Sequence, residues 1–325
     1  MPTPVVVAEI VRSGFVEGHH YGSVVALDRD GEVDWSVGAV DTAILPRSCN
    51  KPMQGLAMVR HGLDLPPELL ALACASHSGE GFHLEGVRRI LALAELDESA
   101  LQTPPDYPLD DAARDALLRA GGEKAPVLMN CSGKHAAMLL TCVVNGWDTA
   151  TYLDPGHPLQ KAVIDTFSEL TGEPVDTIAT DGCGAPLLSA SLTGLARAFR
   201  RLALGHDGDD RPDADATRIA AALRAHPAYV SGSARDELTL LTAIPGAIGK
   251  AGAESCYAVA LPDGRTFALK IDDGGARARP VVMAEALRRS GVDTEDGVDT
   301  VAVRKTGEHE LLGGGRPVGE VRAAF

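Results

Sequence analysis

Strand-forming segments stand at both ends of this chain, and helical periodicity dominates the long stretch between them. Val5–Val11, Tyr21–Leu27 and Val33–Val37 read as β-branched strands, the last two joined at an Asp28-Arg29-Asp30-Gly31 turn. Near the other end, Tyr257–Leu261 and Thr266–Ile271 flank Pro262-Asp263-Gly264 as a hairpin, with a helix following at Pro280–Arg289. Helical patterns cover Lys51–His61, Pro66–Cys74, His83–Leu96, Lys134–Val144, Pro158–Leu170, Pro186–Leu204 and Ala214–Ala225, and Gly205–Asp213 reads as a polar loop. Strands so far apart in sequence are expected to share one sheet, with the central helices packed beside it. The expectation is a mixed α/β (α+β) fold: an antiparallel sheet flanked by helices, in a single domain over residues 1–325 whose mainly helical portion runs from about 52 to 230. No internal repeat interrupts this order.

Composition narrows the function classes. With 45% hydrophobic and 23% charged residues, the 325-residue chain can bury a large core. A formal charge of -15, with no compensating Lys/Arg-rich run, repels phosphate backbones and argues against a nucleic-acid partner. Apolar stretches are broken by charge or glycine before the ~20 residues that span a bilayer. Met1–Ile10 has no basic, apolar and small-residue leader pattern, so the expected compartment is the cytoplasm, with Cys49, Cys74, Cys131, Cys142, Cys183 and Cys256 reduced.

Five short blocks carry the chemistry-bearing residues. Ser48-Cys49-Asn50-Lys51 is an S-x-x-K spacing, which puts hydroxyl and amine on one face where it opens a helix. A helix N-terminus there favours an alkoxide over a second positive charge, so Lys51 can serve Ser48 as base. By itself such a spacing more often marks a capping serine and a solvated lysine. Cys74-Ala75-Ser76-His77-Ser78-Gly79-Glu80-Gly81 closes an apolar helix with small polar residues, and spacing does not choose between Ser76 and Ser78. Asn130-Cys131-Ser132-Gly133-Lys134-His135 gathers a thiol, a hydroxyl, an amine and an imidazole ahead of a helix. Asp181-Gly182-Cys183-Gly184-Ala185-Pro186 sets a carboxylate and a thiol in glycine-rich backbone. Two such thiols can meet on a zinc ion, although packing is the commoner fate of a buried cysteine. Gly249-Lys250-Ala251-Gly252-Ala253-Glu254 places a glycine-flanked lysine just before the late hairpin. Lys305-Thr306-Gly307 matches the K-T-G triplet of serine β-lactamases in letters, but 305–325 offers no helix-length segment to follow it, whereas 250–290 supplies strand, strand and helix.

Taken together and in this order, the five blocks resemble the asparaginase II family, the type known from Rhizobium, over almost the whole chain. The resemblance implies a fold like the serine β-lactamases and penicillin-binding proteins, a homodimer, and hydrolysis of L-asparagine to L-aspartate and ammonia without an organic cofactor. Carried over residue by residue, it implies Ser48–Lys51 as one Ser–Lys pair and Ser76 with Lys250 as the second. It further implies zinc held by Cys131, Lys134 and Cys183, with Arg47, His135 and Asp181 contacting the substrate or ordering the site. Ser231–Thr239 departs from the pattern, carrying acids where some relatives have a further cysteine.

Two other readings compete. A serine acyl-enzyme of the β-lactamase or D,D-peptidase kind would act outside the cytosol and lacks its S-D-N motif here. A noncatalytic, zinc-stabilised binding protein would leave Lys51 and Lys250 without a task.

Overall fold

The structure, a computed structural model, describes residues 5–325. The first four residues of the Met1–Ile10 stretch lie outside the described residues. The chain opens with β1 (Val5–Arg12), β2 (Phe15–Leu27), β3 (Val33–Val37) and β4 (Ala43–Ile44). Six helices follow: α1 (Lys51–Arg60), α2 (Pro67–Ala73), α3 (Gly81–Leu93), α4 (Asp111–Arg119), α5 (Ser132–Asn145) and α6 (Pro158–Thr171). Short strands β5 (Ile178–Thr180), β6 (Pro186–Leu188) and β7 (Ala190–Ser191) lead into α7 (Leu192–Leu204), α8 (Ala214–Ala225), α9 (Pro227–Val230) and α10 (Asp236–Ala243). The last part holds β8 (Ile248–Gly252), β9 (Cys256–Ala260), β10 (Thr266–Ile271), α11 (Ala278–Arg289), α12 (Thr300–Thr306), β11 (Glu310–Gly313) and β12 (Arg316–Ala323). Among the described residues, no helix is long and apolar enough to cross a membrane.

These elements form two compact units, each discontinuous in sequence. One holds the chain up to Cys49, Ala190–Leu204 and Thr239–Phe325; the other holds Asn50–Ser189 and Gly205–Leu238. The first unit is built on an antiparallel sheet in the order β11-β12-β1-β2-β10-β9-β8, with β3 also paired to β2. The expected sharing of one sheet by the two chain ends is borne out, since β1 pairs with β12 through Ala8↔Ala323 and Ile10↔Val321. Helices α7 and α11 pack on this sheet. Every residue of β8 and β9 is buried; β9 therefore reads as a continuous apolar run, whereas β8 carries Lys250 inside the protein.

Several stretches differ from the sequence expectation, among them two that bear on the sheets. The helix expected over Pro186–Leu204 begins only at Leu192, because Pro186–Leu188 is a wholly buried strand paired with β5 and Ala190–Ser191 pairs with β4. The C-terminal stretch expected to lack a helix does lack one, but its polar, glycine-punctuated sequence folds into the β11–β12 hairpin.

The second unit is helical. From Ser132 to Cys142 every residue of α5 is buried, so this helix is enclosed on all sides and carries Lys134 and His135 inside the protein. Its approach to α2 requires Gly133, where a Cβ would meet the Leu72 side chain at 2.7 Å and the Leu72 carbonyl oxygen at 2.8 Å. His77 locks the loop after α2 to this helix. Its Nδ1 accepts from the Gly79 N–H at 3.2 Å, while its Nε2 lies 2.8 Å from Ser132 Oγ, which itself donates to the Val127 carbonyl at 2.7 Å. This set demands the neutral, Nε2-protonated imidazole. Burial, then the neighbouring His83 and Lys51, hold the His77 pKa well below its ordinary 6.5.

A pH dependence of stability follows. The unfolded chain takes up a proton as pH falls below 6.5, whereas folded His77 refuses it, so the stabilisation is complete above that value and is lost on acidification. Urea denaturation at about pH 7.5 and about pH 5.5 should show a lower unfolding free energy at the acid pH, and His77→Asn should shrink the difference. An unchanged difference in the variant would remove His77 as its source.

Candidate active site

In the second unit, α1 begins at Lys51 with Pro52 in its first turn, a position where the missing N–H costs nothing. The Lys51 side chain is turned inward to 1% exposure. Its Nζ donates to the Ala75 carbonyl at 2.6 Å, Ser76 Oγ at 2.9 Å and Cys131 Sγ at 3.0 Å. Ser76 reaches this point because α2 stops at Ala73, and Cys131 because it caps α5. A buried side-chain nitrogen needs hydrogen-bond partners, and Lys51 Nζ has three.

From Cys131 the network continues to Cys183, Lys134 and His135. The Cys131 thiol is pushed up by its hydrogen bond to Cys183 and by burial, so it keeps its proton. Cys183 is pushed strongly down, first by receiving that hydrogen bond and then, against burial, by Lys134. Cys131 Sγ also donates to Asn130 Oδ1 at 3.1 Å. Lys134 Nζ donates to Cys183 Sγ at 3.2 Å. Burial works against its charge, but Cys183, Cys131 and Asp181 prevail and raise its pKa. His135 Nδ1 lies 2.7 Å from the Tyr152 hydroxyl, and the imidazole also interacts with Cys183. Burial first, and then Lys134, lower its pKa to about 4, so His135 is neutral. Asp181 closes a tight turn, accepting from the Gly182 N–H at 2.9 Å, with its other carboxylate oxygen 3.8 Å from Cys183 Sγ.

The first unit holds Arg47, Ser48 and Lys250. Arg47 has a left-handed φ of 52°, an unfavourable backbone for a residue with a Cβ. The segment it bends is pinned to β8, where Cys49 Sγ donates to the Lys250 carbonyl at 3.0 Å. A Cβ at Gly252 would stand 2.7 Å from the Pro46 carbonyl oxygen and 3.1 Å from the Ser48 nitrogen, so glycine is what lets the strand approach Ser48. Arg47 forms an ion pair with Glu254 at 3.5 Å. Lys250 is wholly buried, and its Nζ donates to the Ala251 carbonyl at 2.6 Å.

The expected residues are thus gathered in a way their spacing did not suggest. Lys51 is hydrogen-bonded to Ser76, while Ser48 lies beside the strand of Lys250. Of the two serines that spacing left open, Ser78 donates its hydroxyl to the Ser231 carbonyl at 2.7 Å, while Ser76 Oγ accepts from Lys51 and not from the expected Lys250. Lys305 sits exposed at the end of α12, not on a strand. Tyr152, Arg235 and Glu237 were not anticipated. Arg235 donates to the Ser76 carbonyl at 3.0 Å and contacts the buried Glu237, and no motif marks either residue.

Among solved structures, the chain is similar to Mglu in its native form at 14% identity and a TM-score of 0.46, covering 83% of this chain and 64% of Mglu. It is similar to a β-lactamase from Mycobacterium bovis at 15% identity and a TM-score of 0.45, covering 82% of this chain and 94% of that one. It is also similar to EstCE1, a hydrolase with promiscuous acyltransferase activity, at 14% identity and a TM-score of 0.42, covering 82% and 93%. No curated protein matches. The family model described as L-asparaginase II matches residues 8–323, nearly the whole chain, and the protein therefore belongs to the L-asparaginase II family.

Proposed function

We propose that this chain hydrolyses the side-chain amide of L-asparagine, giving L-aspartate and ammonia, by serine–lysine chemistry. The observation that carries the reading is the contact of the buried Lys51 Nζ with Ser76 Oγ at 2.9 Å. A hydroxyl becomes a competent nucleophile when a neighbouring amine accepts its proton. Ser48, three residues ahead of Lys51 in the S-x-x-K block, is assigned the attack. Its Oγ bonds to the amide carbon while its proton passes to Lys51, which enters the step as the neutral amine. The carbon–nitrogen bond then breaks and ammonia leaves with a proton from the lysine. Water splits the resulting ester, releasing aspartate and restoring the serine. Ser76 holds Lys51 in place for both transfers, and Lys250 supplies a second buried amine in the unit that contains Ser48. Arg47 and Asp181 offer the cation and the carboxylate that an amino acid's two charged ends require.

The family resemblance also implies zinc, and the donor set suits it. Cys131 and Cys183 would give two sulfurs and Lys134, whose Nζ lies 3.2 Å from Cys183 Sγ, an amine that must first lose its proton. Among the described residues no three His, Cys, Asp or Glu side chains stand together as a metal site, so this reading rests on the Lys134 amine as a ligand. Bound there, zinc would supply charge and fixed architecture.

Ammonia release from asparagine and glutamine is the direct assay. Ser48→Ala and Lys51→Met should each cost on the order of 10² or more in kcat while the variants stay folded. Lys51→Arg should not rescue, because a guanidinium does not give up its proton. Near-wild-type turnover in Ser48→Ala would remove that serine from the mechanism, and a fully active Lys51→Arg would contradict the base role.

Metal content gives a second test. Elemental analysis of protein purified without chelator should find zinc, bound more weakly as pH falls, because Cys131 and Lys134 must deprotonate. The double Cys131→Ser, Cys183→Ser variant should lose the metal and bind asparagine more weakly. Active enzyme without zinc, together with an unchanged KM in that variant, would return both thiols to packing roles.

A further inference from the structure

The loop that carries Ser76 does not stand alone. From Ser76 to Glu80 it runs alongside residues 230–235, tied to them by hydrogen bonds at Ser76, Ser78 and Glu80. The Ser76 N–H donates to the Val230 carbonyl at 3.1 Å, and Ser78 Oγ to the Ser231 carbonyl at 2.7 Å. The Glu80 carboxylate accepts from Ser233 N at 2.8 Å and from Ser233 Oγ at 2.5 Å. The contact is so close at Gly232, whose φ is 136°, that a Cβ there would run into Ser78 Oγ and stand 2.9 Å from the Glu80 carboxylate.

At the end of this seam Arg235 donates through Nη1 to the Ser76 carbonyl at 3.0 Å, while Nη2 lies 2.5 Å from Glu237 Oε2. The Glu237 side chain has no solvent exposure and that of Arg235 retains 25%. A carboxylate so buried is costly unless it is paired, and a planar guanidinium held at two nitrogens has lost most of its freedom. Both backbone groups of Ser76 are thereby fixed by the 230–235 segment, which leaves its hydroxyl aimed at Lys51 Nζ.

We propose that Arg235, braced by Glu237, is a positioning residue that sets the Ser76–Lys51 pair. It acts through the Ser76 carbonyl and does not touch the substrate, since its fork is already committed to Ser76 and Glu237. The inference rests on the reading that the Ser76–Lys51 pair serves amide hydrolysis. A displacement of about 1 Å in such a pair costs on the order of 10² in rate, so one backbone contact is enough to matter.

Steady-state ammonia release tests this, with Arg235→Ala, Glu237→Gln, Ser76→Ala and Lys51→Met measured side by side and circular dichroism as the folding control. Arg235→Ala should lower kcat by roughly 10 to 10² fold with KM changed less than about threefold, and should shift the basic limb of the pH profile of kcat/KM. Added guanidinium ion should restore part of the rate. Glu237→Gln should show a smaller loss of the same kind, and it carries the test if Arg235→Ala does not fold. A raised KM with unchanged kcat in Arg235→Ala would mean that Arg235 reads the substrate, which overturns the proposal. Wild-type kcat in both Arg235→Ala and Glu237→Gln, with Ser76→Ala and Lys51→Met impaired, would overturn the positioning role alone. Wild-type kcat in Ser76→Ala and Lys51→Met would overturn the hydrolytic reading of the pair, and this inference with it.

Discussion

The three hydrogen bonds of Lys51 Nζ organise the second unit. A lysine at the start of a helix ordinarily reaches solvent along its four-carbon stem. Here the stem is enclosed, and the amine has a carbonyl, a hydroxyl and a sulfur as partners, none of them a carboxylate. Three stretches of chain must therefore arrive at one point with their polar atoms directed inward. The end of α2 brings Ala75 and Ser76, the cap of α5 brings Cys131, and the seam along 230–235 holds the first of these in place. Loss of any one would leave a buried nitrogen short of an acceptor, at a cost of about 1–3 kcal/mol.

The sulfur pair extends the same economy of charge. Of the two enclosed thiols, Cys183 is pushed down and Cys131 is pushed up, so the two are set to opposite protonation states beside Lys134. Lys134 stays an ammonium because that thiolate is there. His135, next along α5, is left neutral because a third positive charge in the same enclosed space would be expensive. The cluster is a balanced set in which changing the protonation of one member moves the others.

Much of the frame was legible in the sequence, and the reasons for what was not are physical. β-branched alternation at the two ends located β1, β2 and β3 and the β9–β10 hairpin, and their pairing follows from the need to bury one face. Pro186–Leu188 read as helix because a short run of buried apolar residues has no period of its own. The β11–β12 hairpin was invisible because its exposed strands carry mixed polar residues and glycines. In the site, blocks of adjacent residues identified the chemistry-bearing side chains. Partnerships between blocks were a different matter: spacing speaks for neighbours along one helix, whereas Lys51 meets Ser76 and Cys131 across separate elements. Arg235 and Glu237 sat within the Ser231–Thr239 departure and carried no signal, since an arginine and an acid two residues apart are common on any surface.

Lysine usage ties these observations together. The chain contains seven lysines and many more arginines, so most of its positive charge is arginine. Among the described residues three lysines are essentially buried, Lys51, Lys134 and Lys250, and each lies in one of the motif blocks. Lysines are almost never fully buried without a specific partner, because the ammonium is strongly hydrated. Arginine would meet the need for a fixed buried cation with more hydrogen bonds and less desolvation, and this protein uses it that way at Arg60 with Glu169 and Asp213. What arginine cannot do is give up a proton. Keeping lysine at three enclosed positions, in a chain that otherwise favours arginine, leaves each position a cation that can give up its proton, which the proposed proton transfer at Lys51 and Lys250 and the proposed zinc ligation by Lys134 would use.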